Sequence, residues 1–159
     1  MENRIKDVLN EAILQLKQSE VEEDVLKAKL VLCFMLGKPK EYLIIHSCDT
    51  LDDEFVLQYK ENIRKVAEGI PVQYIVGRKE FMGLDFEVCQ DVLIPQADTE
   101  VLVEEALSAI KPGFKVLDMC TGSGAIAISI ARYRDKACVV GADISPKALG
   151  VARKNAREE

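Results

Sequence analysis

Residues 116–124, VLDMCTGSG, join an apolar run to an acid and then to a loop with two glycines. The run begins at residue 114, and its nearly continuous hydrophobicity is typical of a parallel strand. A helical segment follows, then a second apolar run at residues 137–143 and another helical segment that opens with Ser-Pro at 145–146. This βαβα order constrains the fold most strongly, because it predicts a parallel sheet with right-handed crossovers.

Both predicted strands end in an acidic residue, Asp118 in the first and Asp143 in the second. Ligands of open α/β sheets bind at the carboxyl ends of the strands. Gly122 and Gly124 let the backbone of the loop approach a ligand closely. Asp143 follows the loop by about 20 residues, where an acid can accept hydrogen bonds from both hydroxyls of a ribose. Together these residues predict a nucleoside-binding site.

Two nucleoside cofactors fit this pattern. The glycine segment at residues 122–127, GSGAIA, is compatible with the small-residue pattern of dinucleotide-binding proteins. A carboxylate at Asp118 repels a pyrophosphate, whereas it attracts the cationic amino and sulfonium groups of S-adenosylmethionine. Asp118 therefore favours S-adenosylmethionine over NAD. A tight turn with two capping acids and no ligand stays the alternative.

The beginning of the chain has a helical pattern. Apolar residues recur every three or four positions in residues 5–16, 24–36 and 53–68, which predicts amphipathic helices. Glycine and proline follow the second and third of these segments, and both residues commonly end helices.

A strand-like alternation begins at residue 80, in EFMGLDFEV, and a second extended piece follows at 91–95. We interpret residues 80–95 as a β-hairpin, followed by a helix that Asp98 or Thr99 caps. The predicted organisation is a helical domain at 1–74, a β-hairpin linker at 75–97, and the start of a Rossmann-like domain at 98–159.

Composition narrows the function. No apolar run reaches the length of a transmembrane helix and the N-terminus is charged, so we predict a cytoplasmic protein without a membrane partner. The net charge of −6 argues against direct DNA binding, which needs basic surface. With one histidine and no closely spaced cysteine pair, no metal site is predicted.

Four segments together resemble one protein family. LDMCTGSGAIAIS and ADISPKALGVARKNA resemble class I S-adenosylmethionine-dependent methyltransferases. GIPVQYIVGRKEFMGLDFEV and VLIPQADTEVLVEEAL narrow the resemblance to the HemK/PrmC family of release-factor glutamine methyltransferases. The resemblance implies a small helical substrate-docking domain at 1–74, a hairpin and a Rossmann-like catalytic domain. It also implies that S-adenosylmethionine methylates the glutamine amide nitrogen in the GGQ motif of peptide-chain release factors.

The resemblance also implies roles for particular residues. The loop on the methionine side of the cofactor would consist of Cys120, Thr121, Gly122, Ser123 and Gly124. Asp143 would bind the ribose, and Phe81 would come near the target glutamine. Asp118 joins the cofactor-binding set on the charge argument above.

The chain departs from the family pattern in three ways. Cys120 stands where the family usually has glycine, and we expect its Cβ to be tolerated only if φ is negative. Gln96 replaces the arginine of the family's I-P-R-P segment, which removes a charge. The family's catalytic NPPY motif does not occur in these 159 residues. Its Asn side chain and Pro carbonyl would orient the amide nucleophile, so we expect the fragment to be inactive. We also expect the fragment to self-associate, because a short sheet leaves a strand edge unpaired.

Three rival functions remain open. A ribosomal-protein glutamine methyltransferase would use the same chemistry and a similar loop. A methyltransferase of nucleobase amines would usually need a basic surface. A non-catalytic helical interaction module at 1–74 is the alternative from a different class.

Overall fold

The structure, a computed structural model, describes residues 3–159. The chain divides into two compact units, Met1–Val76 and Gly77–Glu159. The first unit is built of helices, and the second contains an antiparallel hairpin followed by helices and parallel strands. This arrangement confirms the predicted α/β class, with a helical beginning, a hairpin and a partial Rossmann-like fold.

The first unit is a helical bundle around one apolar core. Its helices are α1 (Ile5–Gln18), α2 (Asp24–Leu36), α3 (Lys40–Ile45), α4 (Asp53–Ala67) and α5 (Val72–Val76). The buried face of each long helix carries the predicted apolar residues, including Leu16, Leu32 and Ile63. Tyr59 of α4 is fully buried, and its hydroxyl donates a hydrogen bond to the Ala28 carbonyl at 3.0 Å. This bond satisfies the polar end of the ring inside the core.

Local sequence signals explain where α4 and α2 begin and end. The Asp52 carboxylate accepts a hydrogen bond from the Phe55 backbone N–H at 2.8 Å and so caps the start of α4. Gly37 follows α2 with a φ of 61°, the left-handed conformation that commonly ends helices.

The hairpin is shorter than predicted. Strand β1 (Arg78–Phe81) pairs with β2 (Leu84–Glu87) through a two-residue turn at Met82 and Gly83, whose φ values are 53° and 72°. Two consecutive positive φ angles characterise the turn type that suits the strand twist of a hairpin. The prediction of one strand through EFMGLDFEV was therefore wrong, because the chain reverses in its middle.

The extended piece predicted at 91–95 is not a strand. Val92 and Ile94 are buried while Leu93 is exposed, so the alternation that suggested a strand does reflect burial. The segment nevertheless has no strand pairing, and Pro95 at its end lacks the N–H needed for a ladder.

The rest of the second unit follows the predicted βαβα order. Its elements are α6 (Ala97–Ala109), β3 (Lys115–Met119), α7 (Ala125–Tyr133), β4 (Cys138–Ala142) and α8 (Pro146–Glu158). Strands β3 and β4 are parallel, with Asp118 opposite Gly141. Ser145 caps α8 by accepting a hydrogen bond from the Ala148 N–H at 3.2 Å, as the Ser-Pro signal predicted.

The predicted cap of α6 was wrong. The helix begins at Ala97, so Asp98 and Thr99 lie inside its first turn, and Gln96 is the flanking residue without a side-chain cap hydrogen bond. Asp98 still suits the first turn, where a negative charge interacts favourably with the helix dipole.

The core of the second unit combines the hairpin with the α/β elements. Its buried residues are Phe81, Leu84, Phe86, Val103, Ala125 and Ile130. The opposite face of the two-stranded sheet is open, since Leu117 and Val140 are 60% and 53% exposed. Within residues 3–159, no helix combines the length and the apolar character needed to span a bilayer.

Candidate functional site

The two acids predicted to bind a cofactor lie at the carboxyl edge of the parallel sheet. Asp118 is the fourth residue of β3 and Asp143 directly follows β4. The loop of residues 120–124 leaves β3 at this same edge and leads into α7. The structure thus brings Asp118, the glycine loop and Asp143 together, as the pattern of parallel strands predicted.

Asp118 of β3 holds the beginning of the loop through a side-chain hydrogen bond. Its Oδ2 accepts a hydrogen bond from the Thr121 hydroxyl at 2.6 Å. The Thr121 backbone N–H donates to the Ala142 carbonyl at 2.9 Å, which joins the loop to the end of β4. Thr121 is therefore fixed by both strands, and its side chain is buried.

Asp143 holds the loop from the neighbouring strand. Its Oδ1 accepts from the Ser145 N–H and its Oδ2 accepts from the Gly122 N–H, both at 2.9 Å. These hydrogen bonds, with that of Ser145 the strongest, lower the pKa of the Asp143 carboxyl because they favour its charged form. Each carboxylate oxygen has a further lone pair, so the group can accept additional hydrogen bonds.

The two loop glycines serve different purposes. Gly122 has a φ of 57°, and a Cβ built on it would have no close contact apart from the Cys120 carbonyl at 4.0 Å. Gly124 has a φ of 85°, and its Cβ would lie 2.8 Å from Ile128 and 3.2 Å from Ala152. Gly124 is thus required for the packing of the loop on α7 and α8.

Cys120 does not meet the expectation of a negative φ. Its φ is 63°, in the left-handed region that disfavours side chains. The chain turns sharply as it leaves β3, and this turn imposes the conformation whatever residue stands there. The side chain is exposed, so the strain is conformational and not a clash with packed neighbours.

A small cleft of about 120 Å³ opens beside the glycine loop. The loop residues 120–123 and the first residues of α7 form one wall, and Phe81, Pro95 and Gln96 contribute to the other. Phe81 is only 1% exposed and packs edge-to-face on Phe86, with ring centroids 6.1 Å apart. Phe81 therefore lies next to the loop as a buried aromatic wall, and its approach to the target glutamine stays a prediction.

Sequence reasoning missed Gly141 and Asn155, which shape this site, and gave no contact to Gln96. Gly141 lies opposite Asp118, and a Cβ there would approach the Thr121 hydroxyl to 2.8 Å. Gln96 donates from Nε2 to the Ile94 carbonyl at 2.9 Å and so holds the cleft wall. Asn155 of α8 is buried and donates to the Ser123 carbonyl at 2.8 Å. No local pattern marked Gly141 and Asn155, because each acts through a partner elsewhere in the fold.

The chemistry of these groups fits S-adenosylmethionine. Carboxylates at the ends of adjacent strands accept hydrogen bonds from ribose hydroxyls and from an ammonium group. A pyrophosphate would face two carboxylates at the same edge, and no lysine or arginine lines the described cleft. The donor and acceptor set therefore fits a cationic nucleoside better than a dinucleotide.

Comparisons with known proteins give independent information. Residues 7–77 match the family described as the PrmC N-terminal domain, and residues 110–159 match a methyltransferase domain family. A protein named release factor glutamine methyltransferase from Moorella thermoacetica is 39% identical over 156 residues, covering 97% of this chain and 55% of the relative. Its namesake from Clostridium acetobutylicum is 40% identical over 154 residues, covering 96% of this chain and 54% of the relative.

A third relative with that name, from Borreliella burgdorferi, is 42% identical over 137 residues, which are 85% of this chain and 48% of the relative. The chain thus spans about half the length of the curated relatives it matches. The two matched domains occur in the order that the sequence motifs predicted. By these matches, residues 7–77 belong to the PrmC N-terminal domain family and residues 110–159 to a methyltransferase domain family.

Proposed function

We propose that this chain carries the cofactor loop of an S-adenosylmethionine-dependent methyltransferase that modifies the glutamine amide in the GGQ motif of peptide-chain release factors. The observation that carries the proposal is the fixed loop between two carboxylates at the carboxyl edge of β3 and β4. The names of the relatives supply the reaction and the substrate class.

The chain's own residues would bind the cofactor as follows. Asp143 would accept hydrogen bonds from the ribose hydroxyls while it keeps its bond to Gly122. Residues 120–124 would surround the methionine portion, and Asp118 would add negative charge near its ammonium group. S-adenosylmethionine supplies a methyl group bonded to a positively charged sulfur, and the sulfur becomes a neutral thioether when the methyl group is transferred. An electronegative edge suits such a ligand because it attracts the charged cofactor.

The cleft beside the loop is where the target side chain would approach. Phe81 would offer an aromatic wall, and Gln96 replaces a charged residue with a neutral amide. A glutamine amide is a weak nucleophile, so it must be oriented by hydrogen-bond acceptors on its N–H groups. The family's NPPY acceptors are not among these 159 residues, and we expect these residues alone to transfer no methyl group.

Two other functions compete with this proposal. A ribosomal-protein glutamine methyltransferase would share the loop, but the match of residues 7–77 to the PrmC N-terminal domain favours release factors. A non-catalytic role for the helical unit as an interaction module would leave the loop without a ligand. The organised carboxylates around Gly122 favour the enzyme.

A methylation assay on the full-length protein tests the proposal. The protein is incubated with S-adenosylmethionine and a purified release factor, and the GGQ peptide is analysed by mass spectrometry. We expect a mass gain of one methyl group on the glutamine, and none in a release factor whose GGQ glutamine is replaced by glutamate. Methylation of ribosomal protein in preference to release factor would support the rival enzyme. Cofactor binding without any methylated protein would contradict the assigned substrate.

A further inference from the structure

Asn155 occupies an unusual position between the glycine loop and the hairpin. It lies on α8, is 1% exposed, and uses every hydrogen-bonding group of its side chain. Nδ2 donates to the Ser123 carbonyl at 2.8 Å and to the Glu87 carbonyl at 3.1 Å. Oδ1 accepts from the Glu87 N–H at 2.8 Å. One buried amide therefore joins the backbone of the loop to the backbone of β2.

The contact with β2 resembles an additional strand pairing. Asn155 binds both backbone groups of Glu87, and Glu159, one helical turn later, accepts from the Asp85 N–H at 3.1 Å. Residues four apart on a helix rise about 6 Å, and residues two apart on a strand span about 7 Å. The two repeats match, so α8 satisfies the outer edge of β2 at alternate residues.

Helix α8 also packs closely against the glycine loop. A Cβ on Gly124 would lie 3.2 Å from the Ala152 side chain, so α8 touches the loop backbone almost one turn before Asn155. Ala152 and Asn155 are three residues apart and share one face of the helix. This face of α8 rests on the loop at Gly124 and Ser123, and Asn155 extends the contact to the hairpin.

We infer that Asn155 is a positioning residue that couples the glycine loop to the hairpin, so that a change in the loop on cofactor binding is transmitted to β2. The inference rests on the proposed function only for the identity of the cofactor. The hairpin carries Phe81, which lines the cleft. Because Asn155 joins the loop to the hairpin, it fixes the position of the cofactor side of the cleft relative to the target side.

The simpler explanation is that Asn155 only satisfies buried backbone groups and adds general stability. The two explanations differ in what its loss does to the response of the hairpin. A purely stabilising residue would, when replaced, speed amide exchange throughout the unit. A coupling residue would separate the response of the loop from that of the hairpin.

The test uses hydrogen exchange of the full-length protein, followed at the amides of Gly122, Gly124 and Glu87. Asn155→Asp keeps the shape and the acceptor for the Glu87 N–H but replaces the donor of two hydrogen bonds by a carboxylate oxygen. Asn155→Ala removes all contacts and serves as the second variant. Lys154→Gln is the matched control, since Lys154 pairs with the Glu87 carboxylate and leaves its backbone alone.

With saturating S-adenosylmethionine, we expect the wild type and Lys154→Gln to show slower exchange at all three amides. In Asn155→Asp and Asn155→Ala, the cofactor should still protect Gly122 and Gly124. Its effect on Glu87 should shrink about fivefold or more, within the range of measured site-to-site coupling. Equal protection of Glu87 in wild type and Asn155 variants would overturn the inference. Loss of coupling in Lys154→Gln, no coupling in a wild type that binds the cofactor, or failure of both Asn155 variants to fold would overturn it too.

A measurement without cofactor separates this inference from the proposed function. Asn155→Asp should speed exchange of Gly122 and Gly124 about tenfold relative to wild type, while amides of α6, which lies in the same unit, stay unchanged. If the wild type does not bind S-adenosylmethionine, the proposed function fails, and this measurement alone decides the role of Asn155. Uniform acceleration that includes α6, or no acceleration at the loop, would show that Asn155 is only a stabilising residue.

Discussion

The Asp143 carboxylate lies 2.9 Å from the backbone nitrogen of Gly122, so the acid that ends β4 holds the loop that follows β3. The residue expected to bind a ribose is therefore already used to organise its own site. Its second oxygen accepts from the Ser145 N–H, at the residue that caps α8. Preorganisation of this kind lowers the ordering cost of binding, since the loop need not be fixed by the ligand.

Replacing Asp143 should therefore weaken cofactor binding by two routes. In Asp143→Ala the ribose acceptor is lost and the Gly122 N–H loses its partner. We expect the dissociation constant for S-adenosylmethionine to rise about ten- to a hundredfold, as for loss of a charged hydrogen bond. Calorimetric titration of the full-length protein measures it. Asp135→Ala, at an exposed acid before the opposite end of β4, is the control and should bind normally. An unchanged constant in Asp143→Ala would remove this residue from the site.

The lowered pKa of Asp143 predicts an acid-resistant loop. A carboxyl group whose pKa is lower in the folded state stabilises the fold above its unfolded pKa of about 3.9. That contribution is lost as the pH falls through the lower folded value. We expect the carboxyl ¹³C signal of Asp143 to titrate below the ordinary aspartate range, together with the amide signal of Gly122. Titration at or above the ordinary range would contradict the two backbone hydrogen bonds.

Gly141 should tolerate no side chain. A Cβ at Gly141 would lie 2.8 Å from the Thr121 hydroxyl, which binds Asp118. We expect Gly141→Ala to lower the free energy of unfolding by about 1–3 kcal/mol, the usual cost of overpacking, and to weaken cofactor binding. Chemical denaturation and calorimetry measure these effects. Gly150→Ala is the control, because Gly150 lies in α8 with open space around it and should gain about 0.5–1 kcal/mol. A stable Gly141→Ala variant with normal affinity would show that Thr121 can move without consequence.

Signals that lie close together in the sequence predicted their structures well. Ser145 and Pro146 marked the start of α8, and the apolar runs marked β3 and β4. The proximity of Asp118, the glycine loop and Asp143 could be predicted because parallel strands place their carboxyl ends at one edge. In these elements the local sequence pattern and the order of the strands predict the same structure.

The bounds of the hairpin strands were predicted wrongly because the alternation of apolar and polar residues continues through a two-residue turn. A single strand would place Phe81 and Leu84 on opposite faces, whereas the turn at Met82 and Gly83 pairs them on one face. Asn155 and Gly141 could not be predicted, since their partners lie in other elements. Asn155 contacts Glu87 across 68 residues, a separation over which a single sequence has no periodic signal.

Replacing Cys120 by glycine should stabilise the protein. The φ of 63° costs a residue with a side chain about 1–2 kcal/mol, and glycine adopts it freely. Glycine also increases the entropy of the unfolded chain, which offsets about 0.4–1 kcal/mol. We expect a net gain of about 0.5–1 kcal/mol in Cys120→Gly, measured by chemical denaturation. Cys120→Ala keeps the Cβ and should gain nothing. Equal stability of both variants would show that the turn does not strain Cys120.

The open face of the sheet should promote association of the 159-residue chain. Leu117 and Val140 are directly opposite each other in the parallel pair and both point to the exposed face. Met119 extends this apolar surface, with 66% of it exposed. Exposed apolar patches and unpaired strand edges both favour contacts between chains. We therefore expect light scattering to show a mass that rises with concentration.

Charge placed on this face should prevent the association. Leu117→Lys combined with Val140→Lys should give a concentration-independent monomer, because burying two ammonium groups in a contact is unfavourable. Leu57→Lys is the control, since Leu57 is 71% exposed on α4 of the first unit and has no part in the sheet. This control should associate like the unmodified chain. A monomeric unmodified chain, or association that survives in the double variant, would locate the contact away from the face formed by Leu117 and Val140.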